Sequence, residues 1–344
     1  MTTPTVADSA VEASPPPPRR TLGDRVGATN GWSAWIRERG IYLALVLLVL
    51  YNVFFTLNFL TLATVQLLFA QLPPVIIVSL GMALVIGTGG VDLSVGSTMA
   101  IASAVLAKFV IVDGGFGAPT GVAVLMAVLA GLVVGLFNGV VVATARVQPI
   151  VATLGMLTAG RGIALVITGG ALIELFVPFF KVVRLGKLFG VPYVMWVAVL
   201  LALAIAVMVR RSAFGYRLLA IGGNRRASVL AGLPVQRTLI TVYALSGTLA
   251  AIAGVIATAR LRASDPSYIG LLIELSAITA VVVGGTALEG GQVKILGTVI
   301  GAVFIQLLTT TLVSHNVPDS GARIVQAAII IAAVYLQRTS RRGQ

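Results

Sequence analysis

The chain has 344 residues, 58% of them hydrophobic and only 10% charged, with a mean hydropathy of +1.03. Soluble domains carry about a quarter charged residues, so this composition excludes an ordinary soluble enzyme and reads as an all-α polytopic membrane protein. The net charge of +13 comes from basic residues between apolar runs and at the termini, a topology signal rather than a nucleic-acid surface, and the absence of cysteine rules out disulfides and thiolate metal sites.

Residues 1–39, with Pro15–Pro18 followed by Arg19 and Arg20, read as a disordered, basic cytoplasmic tail. They do not read as a cleaved signal peptide, because the first apolar run, from Ile41, is long enough to remain as a span. A spanning helix needs about 20 apolar residues, and about ten runs within 40–337 meet or approach that length. They are Ile41–Phe59, Leu60–Ile86, Thr98–Val112, Gly121–Thr144, Ile150–Thr168, Pro192–Val209, Leu239–Thr258, Tyr268–Val283, Ile295–Val313 and Ala322–Leu336. In the second of them Pro73-Pro74 removes backbone donors and predicts a kinked or broken helix. A cytoplasmic N-terminus puts 16 of the 24 Lys and Arg residues inside and seven outside, with Arg161 within a span. That bias predicts cytoplasmic termini, a basic cytoplasmic tail at 338–344, and an even number of spans.

The segment Gly87–Ser97 places one carboxylate, Asp92, among glycines between two apolar runs. An aspartate at the centre of a spanning helix costs roughly 2.5–3.5 kcal/mol on insertion scales, so one that stays needs a partner or water. A glycine-rich break also exposes backbone that lipid cannot satisfy, so the segment is expected to be buried in protein or to line a cavity. Gly89-Gly90, Leu93 and Gly96 match Gly284-Gly285, Leu288 and Gly291 at a constant offset, which predicts that each segment is a sharp, glycine-lined break between packed helices. Small residues at Ala130-Gly131, Gly135, Gly297 and Gly301 predict close helix packing within one bundle, with a dimer seam as the alternative.

The loop Gly169–Val191 carries Lys181, Arg184 and Lys187 and falls outside by parity, where it covers the path or receives a partner, or is simply variable. The longest polar stretch, Arg210–Arg237, predicts a short amphipathic helix around Tyr216–Ile221, a turn at Gly222-Gly223-Asn224, and a second helix from Arg225 to Leu230 ending near Gly232. His315, the one histidine, reads as a loop residue. No GxxxxGK[ST] run and no Ser/His/Asp or paired His/Glu arrangement occurs, so neither a catalytic nor a metal site is expected. The polar residues in or near the membrane then carry the interest: Asp92, Ser94, Asn138, Gln148, Thr153, Arg161 and Glu274. The charged ones either pair with one another or line a polar path.

Five runs appear in order: TGGVDLSVGS at Thr88–Ser97, GLFNGVVVA at Gly135–Ala143, QPIVATLGMLTAGRG at Gln148–Gly162, FGYRLLAIGGNRRASVLAG at Phe214–Gly232 and ELSAITAVVVGGTALEGG at Glu274–Gly291. Together they resemble the sugar permeases of bacterial ABC importers, of the ribose, xylose and galactofuranose type, related more distantly to branched-chain amino-acid permeases. The resemblance covers roughly residues 40–337. It implies a type II-like ABC importer permease fold of about ten transmembrane helices, some broken or kinked, in the bacterial inner membrane. It also implies pairing with a second permease copy or paralogue, a path near the dimer axis, a cytoplasmic ABC ATPase and a periplasmic sugar-binding protein. The substrate would be a monosaccharide, with a furanose such as galactofuranose suggested by the VATLGMLTAGRG run and by ARLRASDPSYIGLLIELSAI. ATP and magnesium would be bound by the ATPase, leaving this chain with no cofactor and no enzymatic activity of its own. Within 210–237, the residues Gly222, Gly223, Asn224, Arg225, Ala227, Ser228 and Gly232 are similar to the coupling element of ABC permeases, with Ser228 replacing the second alanine of its Ala-Ala-x3-Gly spacing. An ABC permease for a branched-chain amino acid or nucleoside is the alternative. An ion-coupled secondary transporter, with Asp92 or Glu274 carrying a proton, is a further one.

Overall fold

The computed structural model describes residues 31–111, 115–318, 320–329 and 331. Contacts set Met1–Gly40 apart from one compact unit, Ile41–Gln344, which holds every site discussed below. The first helix, α1 (Gly31–Phe55), begins inside the segment expected to be a disordered tail, so 31–39 are helical. No proline separates them from the apolar run, and a helix once nucleated gains one hydrogen bond for each residue added. Residues 1–30 and the 338–344 tail lie outside the described residues.

The second helix, α2 (Leu62–Gly87), starts at Thr61, whose Oγ1 accepts from the Thr64 amide at 3.4 Å. It runs unbroken through Pro73-Pro74, which corrects the expectation of a break. Both prolines are buried among neighbouring helices, the setting in which proline is tolerated inside a membrane helix. A short α3 (Val95–Val110) follows the glycine segment, then α4 (Thr120–Ala143) and α5 (Pro149–Thr168). The connection after α5 holds short elements, β1 (Ile173–Glu174), α6 (Pro178–Leu185), β2 (Lys187–Leu188) and β3 (Val191–Pro192), with Leu175 and Phe180 fully buried.

The helix α7 (Tyr193–Arg211) leads into α8 (Ala213–Gly223) and α9 (Arg225–Leu230), close to the two short helices expected there. The long α10 (Val235–Leu261) ends in β4 (Ala263–Ser264), which pairs antiparallel with β1 through Ile173 and Ser264. The expected span Tyr268–Val283 is shorter than predicted, because only α11 (Ile273–Val283) is helical. Turns that begin at Asp265, whose carbonyl accepts from the Tyr268 and Ile269 amides at 3.1 and 2.9 Å, run into its start. After α12 (Ile295–Ser314), residues 320–329 are helical.

Six of these helices are long and apolar enough to cross a membrane: α2, α4, α5, α7, α10 and α12. Gly40–Phe55, α3 and α11 are apolar but shorter. The chain is therefore a multi-pass, all-α membrane protein; of the ten runs expected, six are long spans among the described residues, three are shorter apolar helices, and 322–336 lies partly outside the described residues. At its centre are α2 and α10, with 78% and 67% of their most apolar stretches buried, against 17% for α5. The small residues noted above are used inside the chain. A Cβ on Gly131, Gly135 or Gly139 would overlap the α10 backbone or its side chains, and one on Gly297 or Gly301 would overlap the carbonyls of Gly284 and Ala280. They bring α4 onto α10 and α12 onto α11, which leaves none of these stripes free for a dimer seam.

Candidate functional site

Two glycine breaks organise the polar residues. At the end of α2, the Gly89 and Gly90 amides donate to the carbonyls of Ile86 and Val85 at 2.8 and 3.2 Å, with Gly89 at φ +80°. At the end of α11, the Gly285 and Thr286 amides donate to Val282 and Val281 at 2.9 and 3.1 Å, with Gly285 at φ +87°. Both are Schellman caps, which need a residue at positive φ and so select glycine. The equivalence that the backbone sets is Gly89 with Gly285, one residue on from the sequence match of Gly89 with Gly284. Adjacent glycines in both segments hid that slip.

Asp92, 1% exposed, sits in the first break and is fully engaged. Its Oδ1 accepts from the amide and hydroxyl of Ser94 at 3.0 and 2.6 Å, and its Oδ2 accepts from Ser246 Oγ on α10 at 2.8 Å. Asn138 on α4 donates from Nδ2 to Ser94 Oγ at 2.8 Å. Ser97 Oγ bridges the Ser94 and Met156 carbonyls at 2.9 and 3.1 Å, bringing α3 onto α5. Thr153 Oγ1 lies 3.2 Å from the Val91 carbonyl, a second link from α5 to the break. One carboxylate thus ties the break to α10 directly and to α4 through Ser94, which satisfies polar groups that lipid could not. Asn138 Oδ1 and the Tyr243 hydroxyl are buried beside this group without a hydrogen-bond partner among the described residues.

A second group lies around the start of α11. Arg161 Nη1 donates to the carbonyls of Pro266 and Ile269, both at 2.6 Å. Glu274 is 5% exposed, and its Oε2 has no hydrogen-bond partner among the described residues. The charged residues therefore do not pair simply with one another: Asp92 is held by serines and Arg161 by carbonyls. A Cβ on Gly96 would overlap the Gly270 carbonyl oxygen and lie 2.6 Å from Glu274 Oε2, so that glycine is where the two groups meet. Arg161→Ala is expected to release the 266–269 turn and lower the unfolding temperature of the purified chain with insertion unchanged. A thermal melt checks it, and a wild-type melt would remove Arg161 from the site.

Of the residues singled out in the sequence, Asp92, Ser94, Asn138 and Thr153 come together, Arg161 and Glu274 form the second group, and Gln148 is exposed at the start of α5, apart from both. Ser246, Ser97 and Tyr243 were missed. A serine or tyrosine in an apolar helix carries no signal until its partner is placed. An apolar crevice of about 230 Å³ lies elsewhere, lined by Val124, Phe179, Tyr193, Val197 and Ile252 among others. Among the described residues, no cluster of three His, Asp or Glu that could hold a metal ion occurs.

The polar end piece is α8 and α9. Asn224 breaks the two and caps α9, its Oδ1 accepting from the Ala227 amide at 2.9 Å. Gly232, at φ +74°, closes α9 with its amide on the Val229 carbonyl, while the Leu233 amide reaches the Ser228 carbonyl, both at 3.0 Å. Ser228 is buried, but Val229 and Leu230 are 58% and 89% exposed beside the exposed Arg225, Arg226 and Ala227. Gly222 differs from its neighbours by packing into the bundle.

Spanning helices packed around two capped, polar-lined breaks, with the capped α8–α9 pair beside them, form a multi-pass membrane bundle. The chain belongs to the family described as the branched-chain amino acid transport system / permease component, whose model matches residues 64–334. It is 39% identical to the galactofuranose transporter permease protein YtfT of Escherichia coli K12 over 264 residues, covering 77% of this chain and 76% of that one. It is 37% identical to the ribose import permease protein RbsC of the same strain over 305 residues, 88% of this chain and 94% of that one. With the fructose import permease protein FruF of Bifidobacterium longum it shares 35% identity over 266 residues, 76% and 74% of the two chains. No solved structure gives a significant match.

Proposed function

We propose that this chain is the membrane-spanning subunit of an ATP-driven importer of a monosaccharide. The observation that carries the reading is the capped α8–α9 pair with exposed Leu230, in a permease whose sequence holds no nucleotide-binding loop. A permease without such a site is driven only by a partner whose ATP-dependent states bind its two conformations differently. Three relatives named for galactofuranose, ribose and fructose support a sugar as substrate, and galactofuranose is the first to test. In this reading the family fold has about ten crossings, pairs with a second permease, and sits in the bacterial inner membrane with both termini cytoplasmic. The α8–α9 pair then faces a cytoplasmic ATPase that holds ATP and magnesium, and a periplasmic binding protein delivers the sugar opposite. Asp92 and its partners hold the broken-helix region beside the path.

Reconstitution with the ATPase and the binding protein is the test. Sugar-stimulated ATP hydrolysis should require this chain, and hydrolysis unchanged when an unrelated membrane protein replaces it would sink the reading. Uptake that follows a proton gradient without ATP would favour a secondary transporter instead. Profiling the binding protein against sugars, branched-chain amino acids and nucleosides fixes the solute. Leu230→Asp is expected to weaken ATPase co-purification by about tenfold or more, since an apolar anchor at the centre of an interface carries much of its energy. Undiminished co-purification would return the loop to a topology anchor.

A further inference from the structure

Gly222, the penultimate residue of α8, packs against backbone although Gly223, Asn224, Arg225 and Arg226 beside it are exposed. A Cβ there would overlap the Gly87 carbonyl oxygen at the end of α2 and lie 2.5 Å from the Gly291 nitrogen. The same two groups bond to each other, with the Gly291 amide donating to the Gly87 carbonyl at 3.0 Å. Gly290 completes the contact, because a Cβ on it would lie 2.7 Å from the Gly89 nitrogen and 2.9 Å from the Gly222 carbonyl oxygen. Side chains lock the same place: the buried Leu218 of α8 and the partly buried Val293 both press on the position that a Cβ of Gly87 would take. By contrast, a Cβ on Gly223, the next residue, meets nothing within 4 Å. Three backbones therefore touch at one point, and they belong to the α8 helix, to the break that holds Asp92, and to the break between α11 and α12.

We propose that Gly222 is the positioning residue that joins the ATPase-docking helices to both helix breaks, so that α8, the end of α2 and the 290–291 turn move as one body during transport. The inference rests on the docking reading of α8 and α9 and adds where the movement goes. Packed backbone in direct contact cannot slide or deform continuously, so a displacement of α8 reaches Gly87 and Gly291 without loss in side-chain rotation. The first break leads within five residues to Asp92, and the second follows α11, which begins beside Glu274.

The test uses the full complex of permease, ATPase and binding protein. Gly222→Ala should insert and co-purify with the ATPase as the wild type does, while sugar taken up per ATP hydrolysed falls by about tenfold. Gly121→Ala, at an open glycine of α4, should leave that ratio within about twofold. A wild-type ratio for Gly222→Ala overturns the proposal. Loss of co-purification together with uptake also overturns it, because Gly222 would then act in docking rather than in transmission. Where Gly222→Ala fails to insert, the double variant Leu218→Cys, Val293→Cys decides, in a chain that has no other cysteine. Oxidised to a disulfide, it should transport at the rate of its reduced form, because parts that move together tolerate a bond. Transport that stops on oxidation and returns on reduction shows that they move apart, and overturns the proposal. A wild-type complex that couples no sugar to ATP would instead defeat the importer reading itself.

Discussion

Asp92→Ala is expected to lose most of its folded protein in detergent and, in what remains, to transport little. The substitution removes the acceptor of three bonds, from the Ser94 amide, Ser94 Oγ and Ser246 Oγ, all in a site only 1% exposed. A buried donor left without an acceptor costs about 1–3 kcal/mol, so a loss of about 3 kcal/mol or more is expected. That is a large share of a typical stability of about 5–15 kcal/mol. Asp92→Asn keeps the shape and, with its carbonyl at the Oδ1 position, both Ser94 bonds, but sets an NH2 against the Ser246 hydroxyl, so it should fall between wild type and alanine. Thermal unfolding followed by size exclusion gives the order. A proton-carrying aspartate would behave otherwise, with Asp92→Asn fully stable and uptake abolished. An alanine variant with wild-type stability and uptake would reduce the segment to packing.

Much of this arrangement was legible before any coordinates, because its determinants are local. A charge among glycines marked Asp92 and Ser94 as belonging to a helix break, and Asn224 and Gly232 marked the limits of α9 through cap chemistry alone. The turn that begins at Asp265-Pro266 and runs to Ile269 was equally local, and reading it would have shortened the span drawn from Tyr268. The rest depends on contacts distant in sequence. Pro73-Pro74 does not interrupt α2, and both prolines are buried there. Ser246 is an ordinary small residue on α10 until α10 lies against the break, 154 positions away in sequence. Arg161 seeks carbonyls of the 266–269 turn rather than Asp92 or Glu274, a choice set by how α5 lies against that turn. The slip in matching the two breaks has the same origin, since glycine pairs look alike in sequence and only φ separates them.

Gly135→Ala is expected to be as damaging as loss of the carboxylate, by a different route. A methyl at this position would overlap the Tyr243 carbonyl oxygen and come within 2.9 Å of Ala244 Cα, and backbone cannot rotate aside as a side chain can. The α4 helix would have to move off α10, and Asn138, one turn along, would be drawn from Ser94 Oγ. Overpacking a close-packed site costs about 1–3 kcal/mol or more, and here the lost hydrogen bond adds to it. Helix propensity alone predicts the opposite sign, since alanine is favoured over glycine by about 1 kcal/mol inside a helix. Gly155→Ala provides the contrast, because that glycine lies in the middle of α5 with nothing within 4 Å of its Cβ position. It should keep or raise the unfolding temperature of the purified chain, where Gly135→Ala lowers it steeply. Equal temperatures for the two variants would mean that α4 and α10 do not approach closely, and the link from Asn138 to Asp92 would then lose its support. Compensation gives a second readout: Ala244→Gly should not rescue Gly135→Ala, because the methyl meets the main chain of residues 243 and 244 rather than the Ala244 side chain.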